Sequence, residues 1–298
     1  MDHEQRKYIN DLLSESVYRA EAHIGRGAVA DVFVVRHQEL GKKFALKLIH
    51  PHLIRAGDGQ GATFYERIRR EARALGRIEH PHIVSVIDLA KTGDGTPYLV
   101  LELVEGHSLA AELHKRGRFP ISEALDWTRQ ALEGLDAAHA LGIIHRDVTP
   151  TNLFLEEVPD YGRRLKILDF GLARLMRSSP AGPHDSLGFS TKTGVLLGSP
   201  GYVSPEALAG ERVDQRADIY AIGLILYEML SGEGPYDFAD TNYPNPSKYN
   251  PAISPRLDRL VMTALHRERT ARFQCAREFL LALRPLLDEG QSRRKGLK

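Results

Sequence analysis

Between Tyr18 and Ile49 the apolar residues fall in short alternating runs: Ala22-His23-Ile24, Val32-Phe33-Val34-Val35 and Phe44-Ala45-Leu46-Lys47-Leu48-Ile49. Glycines and a Leu40-Gly41-Lys42 turn separate them. A period of two broken by turn residues predicts an antiparallel sheet. Ile9 to Val17 ahead of it reads as a short leading helix. Behind it, the Gly- and Asp-rich stretch Ala56 to Ala62 predicts a loop. Phe64, Ile68, Ala72, Leu75 and Ile78 then recur at helical spacing, and the helix is expected to stop before His80-Pro81. Apolar runs at Ile83 to Leu89 and Tyr98 to Val104 complete a sheet-rich first third.

Beyond Gly106 the pattern turns helical. Ser122 is placed to cap a long helix with Leu125, Leu132, Leu135 and Leu141 on one stripe. Ile219 to Leu230 is apolar nearly all round, which predicts a buried central helix. Leu257 to Leu265 and Ala276 to Leu287 supply the last helices. The basic tail, residues 289–298, reads as a solvated, frayed end. The sheet-rich part meets the helix-rich part near Glu102-Leu103-Val104, so the expected class is α+β. No repeat or low-complexity tract interrupts the 298 residues.

Composition narrows the class without naming it. Hydrophobic residues make up 42% and charged residues 27%, the balance of a folded globular chain. A formal net charge of +1 argues against a general nucleic-acid binder. The lone Cys275 excludes an internal disulfide and fits a reducing compartment. No apolar run is long enough to cross a bilayer, and Met1 to Asn10 lacks a signal-peptide core. These features together predict a cytoplasmic protein.

The chemistry is concentrated in His145-Arg146-Asp147, Asn152 and Asp169-Phe170-Gly171. Two carboxylates and an amide on neighbouring turns can divide two tasks. One acid takes a proton from a hydroxyl, while the amide and the other acid hold Mg²⁺ against a polyphosphate. Upstream, Ile24-Gly25-Arg26-Gly27-Ala28-Val29-Ala30-Asp31-Val32 lies between two strand-like runs. Glycines there let backbone N–H groups approach phosphate oxygens. Taken alone, the same glycines also suit a plain hairpin turn. A strand rather than a helix follows them, which disfavours a dinucleotide fold. Lys47 shares a strand face with Ala45 and Ile49 and needs an anionic partner or an outward path; Glu71 on the next helix is the natural partner.

With these motifs in order, the chain resembles a eukaryotic-type (Hanks-type) protein kinase domain, most closely the bacterial Ser/Thr branch. The resemblance spans about Tyr18 to Leu287. It implies the bilobal protein-kinase fold: residues 1–17 as an N-terminal extension, an N-lobe over 18–101 with an antiparallel sheet and one helix, a hinge at 102–105, and a helical C-lobe over 106–288. It implies that Lys47 contacts the α/β-phosphates and pairs with Glu71. Val32 and Ala45 line an adenine pocket, Leu101 is the gatekeeper, and Glu102, Leu103 and Val104 form the hinge backbone. Asp147 is the catalytic base, and Asn152 and Asp169 hold Mg²⁺, with Mn²⁺ as a second candidate ion. Glu206 of Ser204-Pro205-Glu206 pairs with Arg272 as a structural latch, and Asp218 braces the catalytic-loop backbone. His145, Phe170 and Leu75 have the spacing of an apolar column. The implied activity is ATP-dependent phosphorylation of Ser and Thr on protein substrates. Thr191 and Thr193 are the candidate autophosphorylation sites, for which a transient homodimer would serve.

The sequence departs from the family pattern in four places. Ala30 replaces the third glycine of the phosphate loop. Thr149 stands where Ser/Thr kinases usually carry a lysine that neutralises γ-phosphate charge. Ser199 keeps a hydroxyl where a threonine is usual. The stretch Pro235 to Pro255 is shorter than usual and crowded with Pro and Asn, so the helix that commonly follows there is expected to be stunted or absent. A pseudokinase or scaffold is therefore the alternative reading, although that role has no need of Lys47, Glu71, Asp147, Asn152 and Asp169 together. A small-molecule kinase would lack the Glu206–Arg272 pairing.

Overall fold

The computed structural model of the chain describes residues 1–27, 29–55, 61–160, 162–170, 200–235 and 242–295. Ala28, Gly171, Thr191, Thr193 and Ser199 therefore lie outside the described residues. The chain divides into two compact units. Among the described residues the first holds Met1–His80 and Val84–Val104, and the second holds Pro81–Ile83, 105–170 and 200–295.

In the first unit the alternating runs form the expected strands, β1 (Tyr18–Arg26), β2 (Ala30–His37) and β3 (Lys43–Ile49). With β4 (Val86–Lys91) and β5 (Pro97–Glu102) they make one antiparallel sheet ordered β1-β2-β3-β5-β4. Alternation sorts its two faces. Phe33, Val35, Phe44, Leu46, Tyr98 and Val100 form one core layer. Ala30, Ile49 and Leu99 form the other, with Ile68 and Ala72 of helix α3 (Gly61–Leu75) packed onto them. A short helix α2 (Pro51–Arg55) precedes α3 and was not legible in the pattern.

The leading helix differs from the expected Ile9 to Val17. Helix α1 runs His3–Leu12 because Asp2 caps it, its Oδ1 accepting the Gln5 N–H at 2.7 Å. Past Leu13 the chain turns into β1, and the Arg19 guanidinium collects the carbonyls of Leu13 (2.8 Å) and Ser16 (2.7 Å) there. Ile9 and Leu13 join the first core layer, so residues within 1–17 pack as part of this unit.

The second unit is mainly helical. Helix α4 (Leu109–Arg116) leads into α5 (Ile121–Ala140). Pro120, not Ser122, takes the N-cap position of α5 and makes no side-chain cap bond. The buried stripe of α5 contains Leu125, Leu132 and Leu135 but not Leu141, which is 52% exposed. Leu141 is six residues beyond Leu135, off the stripe; His139, four residues beyond, is on it. Gly134 lets α5 approach closely, since a Cβ there would stand 2.9 Å from Ile167 and 3.2 Å from the His82 carbonyl. A three-stranded sheet, β6 (Gly106–Ser108), β7 (Leu153–Val158) and β8 (Gly162–Ile167), flanks the candidate site.

Gly142-Ile143-Ile144 is irregular, because the Ile143 N–H turns back to the Ala138 carbonyl and closes α5. The central helix α7 (Arg216–Ser231) is buried on all sides, as its composition predicts. It follows the single-turn α6 (Pro205–Leu208) and precedes α8 (Pro255–Ala264) and α9 (Ala276–Lys295). Helix α9 continues through most of the stretch expected to fray. Between 242 and 254 the only helical segment among the described residues is one 3₁₀ turn, Pro246–Lys248.

Candidate active site

The second unit's site is built around a buried carboxylate. Asp218, in the first turn of α7, is 1% exposed. Its Oδ2 accepts the His145 N–H at 2.9 Å and the His139 Nε2–H at 2.8 Å, and its Oδ1 accepts the Arg146 N–H at 2.8 Å. These bonds hold Arg146 at φ +67°, a left-handed conformation that costs a non-glycine residue about 1–2 kcal/mol. Burial pushes the Asp218 carboxyl up, but the His139 bond and the neighbouring donors outweigh it and hold it below the usual carboxylate range.

From this brace the loop presents Asp147. The His145 ring works from both nitrogens: Nδ1 accepts the Asp147 N–H at 3.2 Å and Nε2–H donates to the Leu168 carbonyl at 2.7 Å. Phe170 lies against that ring with centroids 4.6 Å apart. Asn152 Nδ2 donates to the Asp147 carbonyl (2.8 Å) and to Asp147 Oδ2 (3.1 Å), while its own carbonyl accepts the Leu168 N–H at 2.8 Å. One asparagine thus joins the Asp147 loop to the chain entering Asp169, itself at φ +58°. With its amide nitrogen committed to Asp147, Asn152 has its side-chain oxygen left to ligate. Thr149, 3% exposed, pairs its hydroxyl with that of Thr151 at 2.8 Å.

The predicted Glu206–Arg272 pair is formed and bidentate, at 2.9 and 2.7 Å, with side chains 5% and 0% exposed. Arg272 also donates to the carbonyls of His266, Arg216 and Arg267 and stacks over Tyr220. Burial raises the Glu206 pKa, yet the Arg272 bonds bring it out below the ordinary value. Two partners were missed by the sequence reading. His139 supports Asp218, and Glu228 of α7 accepts a short hydrogen bond from the Tyr202 hydroxyl. Each is a polar residue at a position the apolar pattern assigns to core, and that is the feature that could have found it.

In the first unit, Arg26 pairs with Asp31 and Gly25 with Val32 across the hairpin that carries the glycine loop. Lys47 stands between Val32 on β2 and Leu99 on β5, and is buried. Its strand parity puts it on the face that α3 covers, the helix that carries Glu71. Ala45 pairs with Leu101, and the ladder ends at Glu102, whose N–H donates to the Ser85 carbonyl at 3.0 Å. Leu103 and Val104 leave the strand. Among the described residues no three His, Cys, Asp or Glu are arranged to hold a metal. A hard cation that takes one or two carboxylates, phosphate oxygens and water does not require such a set, and Asp169 with the Asn152 oxygen fits it.

The family model described as the protein kinase domain matches residues 18–294. Serine/threonine-protein kinase pkn2 of Myxococcus xanthus is 38% identical over 76% of this chain and 26% of its own length. Serine/threonine-protein kinase pkn3 of the same organism is 34% identical over 88% and 48%. The crystal structure of the Mycobacterium tuberculosis PknI kinase domain superposes with a TM-score of 0.69 at 29% identity, covering 91% of this chain and 96% of that one. The chain belongs to the protein kinase family, in company with bacterial serine/threonine-protein kinases. It spans between about a quarter and a half of the length of these curated relatives.

Proposed function

We propose that this domain is a protein serine/threonine kinase. The observation that supports the reading is the hydrogen-bonded network of Asp147, Asn152 and Asp218, which holds a half-buried carboxylate beside an amide whose oxygen is left to ligate. When bound, ATP supplies the phosphoryl group and Mg²⁺, or Mn²⁺, neutralises its polyphosphate charge. Asp147 accepts the proton of the substrate Ser or Thr hydroxyl through its Oδ1, since Oδ2 is held by Asn152. Asn152 and Asp169 hold the metal. Lys47, paired with Glu71, anchors the phosphates, and the 24–32 loop covers them. Val32, Ala45, Leu101 and the Glu102–Val104 backbone receive the adenine. We assign the kinase domain to 18–288, its hinge to 102–105, and place it in the cytoplasm with protein substrates. Incubation with γ-labelled ATP, Mg²⁺ and a generic protein substrate tests this: phosphoserine or phosphothreonine should form. Tightly bound but unconsumed ATP would favour the pseudokinase reading.

Thr149 carries no charge to replace the missing lysine, so γ-phosphate charge falls to the metal. Thr149→Lys should therefore leave kcat within about threefold of the wild type or raise it, because an added cation favours phosphoryl transfer. A dead but folded variant would assign Thr149, through its bond to Thr151, a role that shielding does not cover.

Thr191 and Thr193 are proposed as autophosphorylation sites, with Arg146 as the phosphate's anchor. A phosphate adds nearly two negative charges and acceptor oxygens that an arginine binds well. Mass spectrometry after incubation with ATP should find phosphate at one or both. Thr191→Ala/Thr193→Ala should phosphorylate an external substrate more slowly. Fully active enzyme unmodified at both positions would exclude this regulation.

A further inference from the structure

A carboxylate held between two imidazoles sits at the base of the glycine loop. Asp31 Oδ1 faces His23 Nε2 at 3.4 Å and Arg26 Nε at 3.7 Å, and Oδ2 accepts His50 Nε2–H at 3.2 Å. The groups come from three places: β1, β2, and the residue that follows β3. His50 grips the loop's return arm twice, because its backbone N–H also donates to the Val29 carbonyl at 2.8 Å. The Gly27 N–H to Ala30 carbonyl bond, 2.9 Å, closes the turn between these holds. The His23 ring lies 5.0 Å from that of the buried Phe33, which fixes the outer imidazole.

This cluster has the donor types of a metal site, but not the arrangement of one among the described residues. The imidazoles and the carboxylate are instead committed to one another. His50 and Asp31 are 13% and 27% exposed in their side chains, so their bond is better shielded from water than a surface pair. An aspartate is also a poor strand residue, and its place here is explained by the bonds it makes.

We infer that Asp31, held by His23 and His50, is a positioning residue that keeps the 24–32 loop in its nucleotide-binding form. The inference rests on the kinase reading, in which that loop covers the phosphates. A glycine-containing loop loses much conformational freedom when it closes on a ligand, and a clamp that restricts it beforehand lowers that cost. The clamp therefore acts on nucleotide affinity more than on turnover.

The test uses the full chain with Mg²⁺ and a non-hydrolysable ATP analogue, together with kcat and KM for ATP. His23→Ala/His50→Ala should raise the analogue Kd and the KM for ATP about five- to tenfold, the size of one ordinary hydrogen bond's net contribution, and change kcat less than twofold. His50→Gln keeps an N–H donor and should stay within about twofold of the wild type, whereas His50→Ala alone should not. If the double variant does not fold, the His50→Ala and His50→Gln pair decides the matter alone. Unchanged affinity in His50→Ala, or equal losses in His50→Gln and His50→Ala, would overturn the clamp. A wild-type chain that fails to bind the analogue would overturn the kinase reading itself and the clamp with it.

Discussion

Asp147→Asn should lower phosphoryl transfer by about 10²–10⁴-fold, the usual worth of a general base, while nucleotide affinity stays within about twofold. The substitution is nearly isosteric, and the surroundings tolerate it. The backbone N–H of residue 147 still donates to His145 Nδ1, and its carbonyl still accepts from Asn152. An amide oxygen can take the place of Oδ2 opposite Asn152 Nδ2. The brace from Asp218 to the backbone of residues 145 and 146 does not involve the altered side chain. What disappears is the basic oxygen that would receive the hydroxyl proton. Rates measured at saturating ATP and substrate, beside equilibrium binding of an ATP analogue, separate the two effects. A loss of less than about tenfold would remove Asp147 from the role of base.

Glu206→Ala should cost about 3–5 kcal/mol of stability, since it leaves a guanidinium buried without its counter-charge. The pair is fully enclosed, so solvent cannot compensate. Trp127, the only tryptophan, is buried in the same unit, and its fluorescence during urea unfolding reports the change. The pH dependence has a defined sign. The folded-state pKa of Glu206 lies below its ordinary value of 4.5. Its contribution is therefore complete above that value and is lost as pH falls through the folded pKa. Wild type and variant should converge in stability as the solution is acidified through that range. A difference below about 1 kcal/mol at neutral pH would mean that the other bonds of Arg272, to three carbonyls, carry the local structure without Glu206.

Much of this was legible in the chain because side-chain periodicity and burial are the same fact seen twice. The alternation through Val32–Val35 and Phe44–Ile49 assigned strands, and the apolar run Ile219 to Leu230 assigned a buried helix. The Glu206–Arg272 pair followed from family resemblance and is present with the expected chemistry. Features set by caps and long-range bonds were not legible. The leading helix moved toward the N-terminus because Asp2, a single residue, caps it. Ser122 is a good cap by type, but Pro120 starts the helix two residues earlier. His139 stands on the apolar stripe of its helix, but its partner Asp218 lies 79 positions away, and only the fold brings the two together. The left-handed backbone at Arg146 and Asp169 has no mark in composition, because neither residue is glycine. The His23–Asp31–His50 cluster joins residues 8 and 19 positions apart, and only strand pairing brings them together.

The most direct test of the whole account is transfer of the γ-phosphoryl group from labelled ATP by wild type and Asp147→Asn side by side, followed by phosphoamino-acid analysis. The account predicts labelled phosphoserine or phosphothreonine with the wild type and at most about a hundredth of it with the variant. No protein-bound label from folded wild type with Mg²⁺ or Mn²⁺, or label equal in the two proteins, would contradict it.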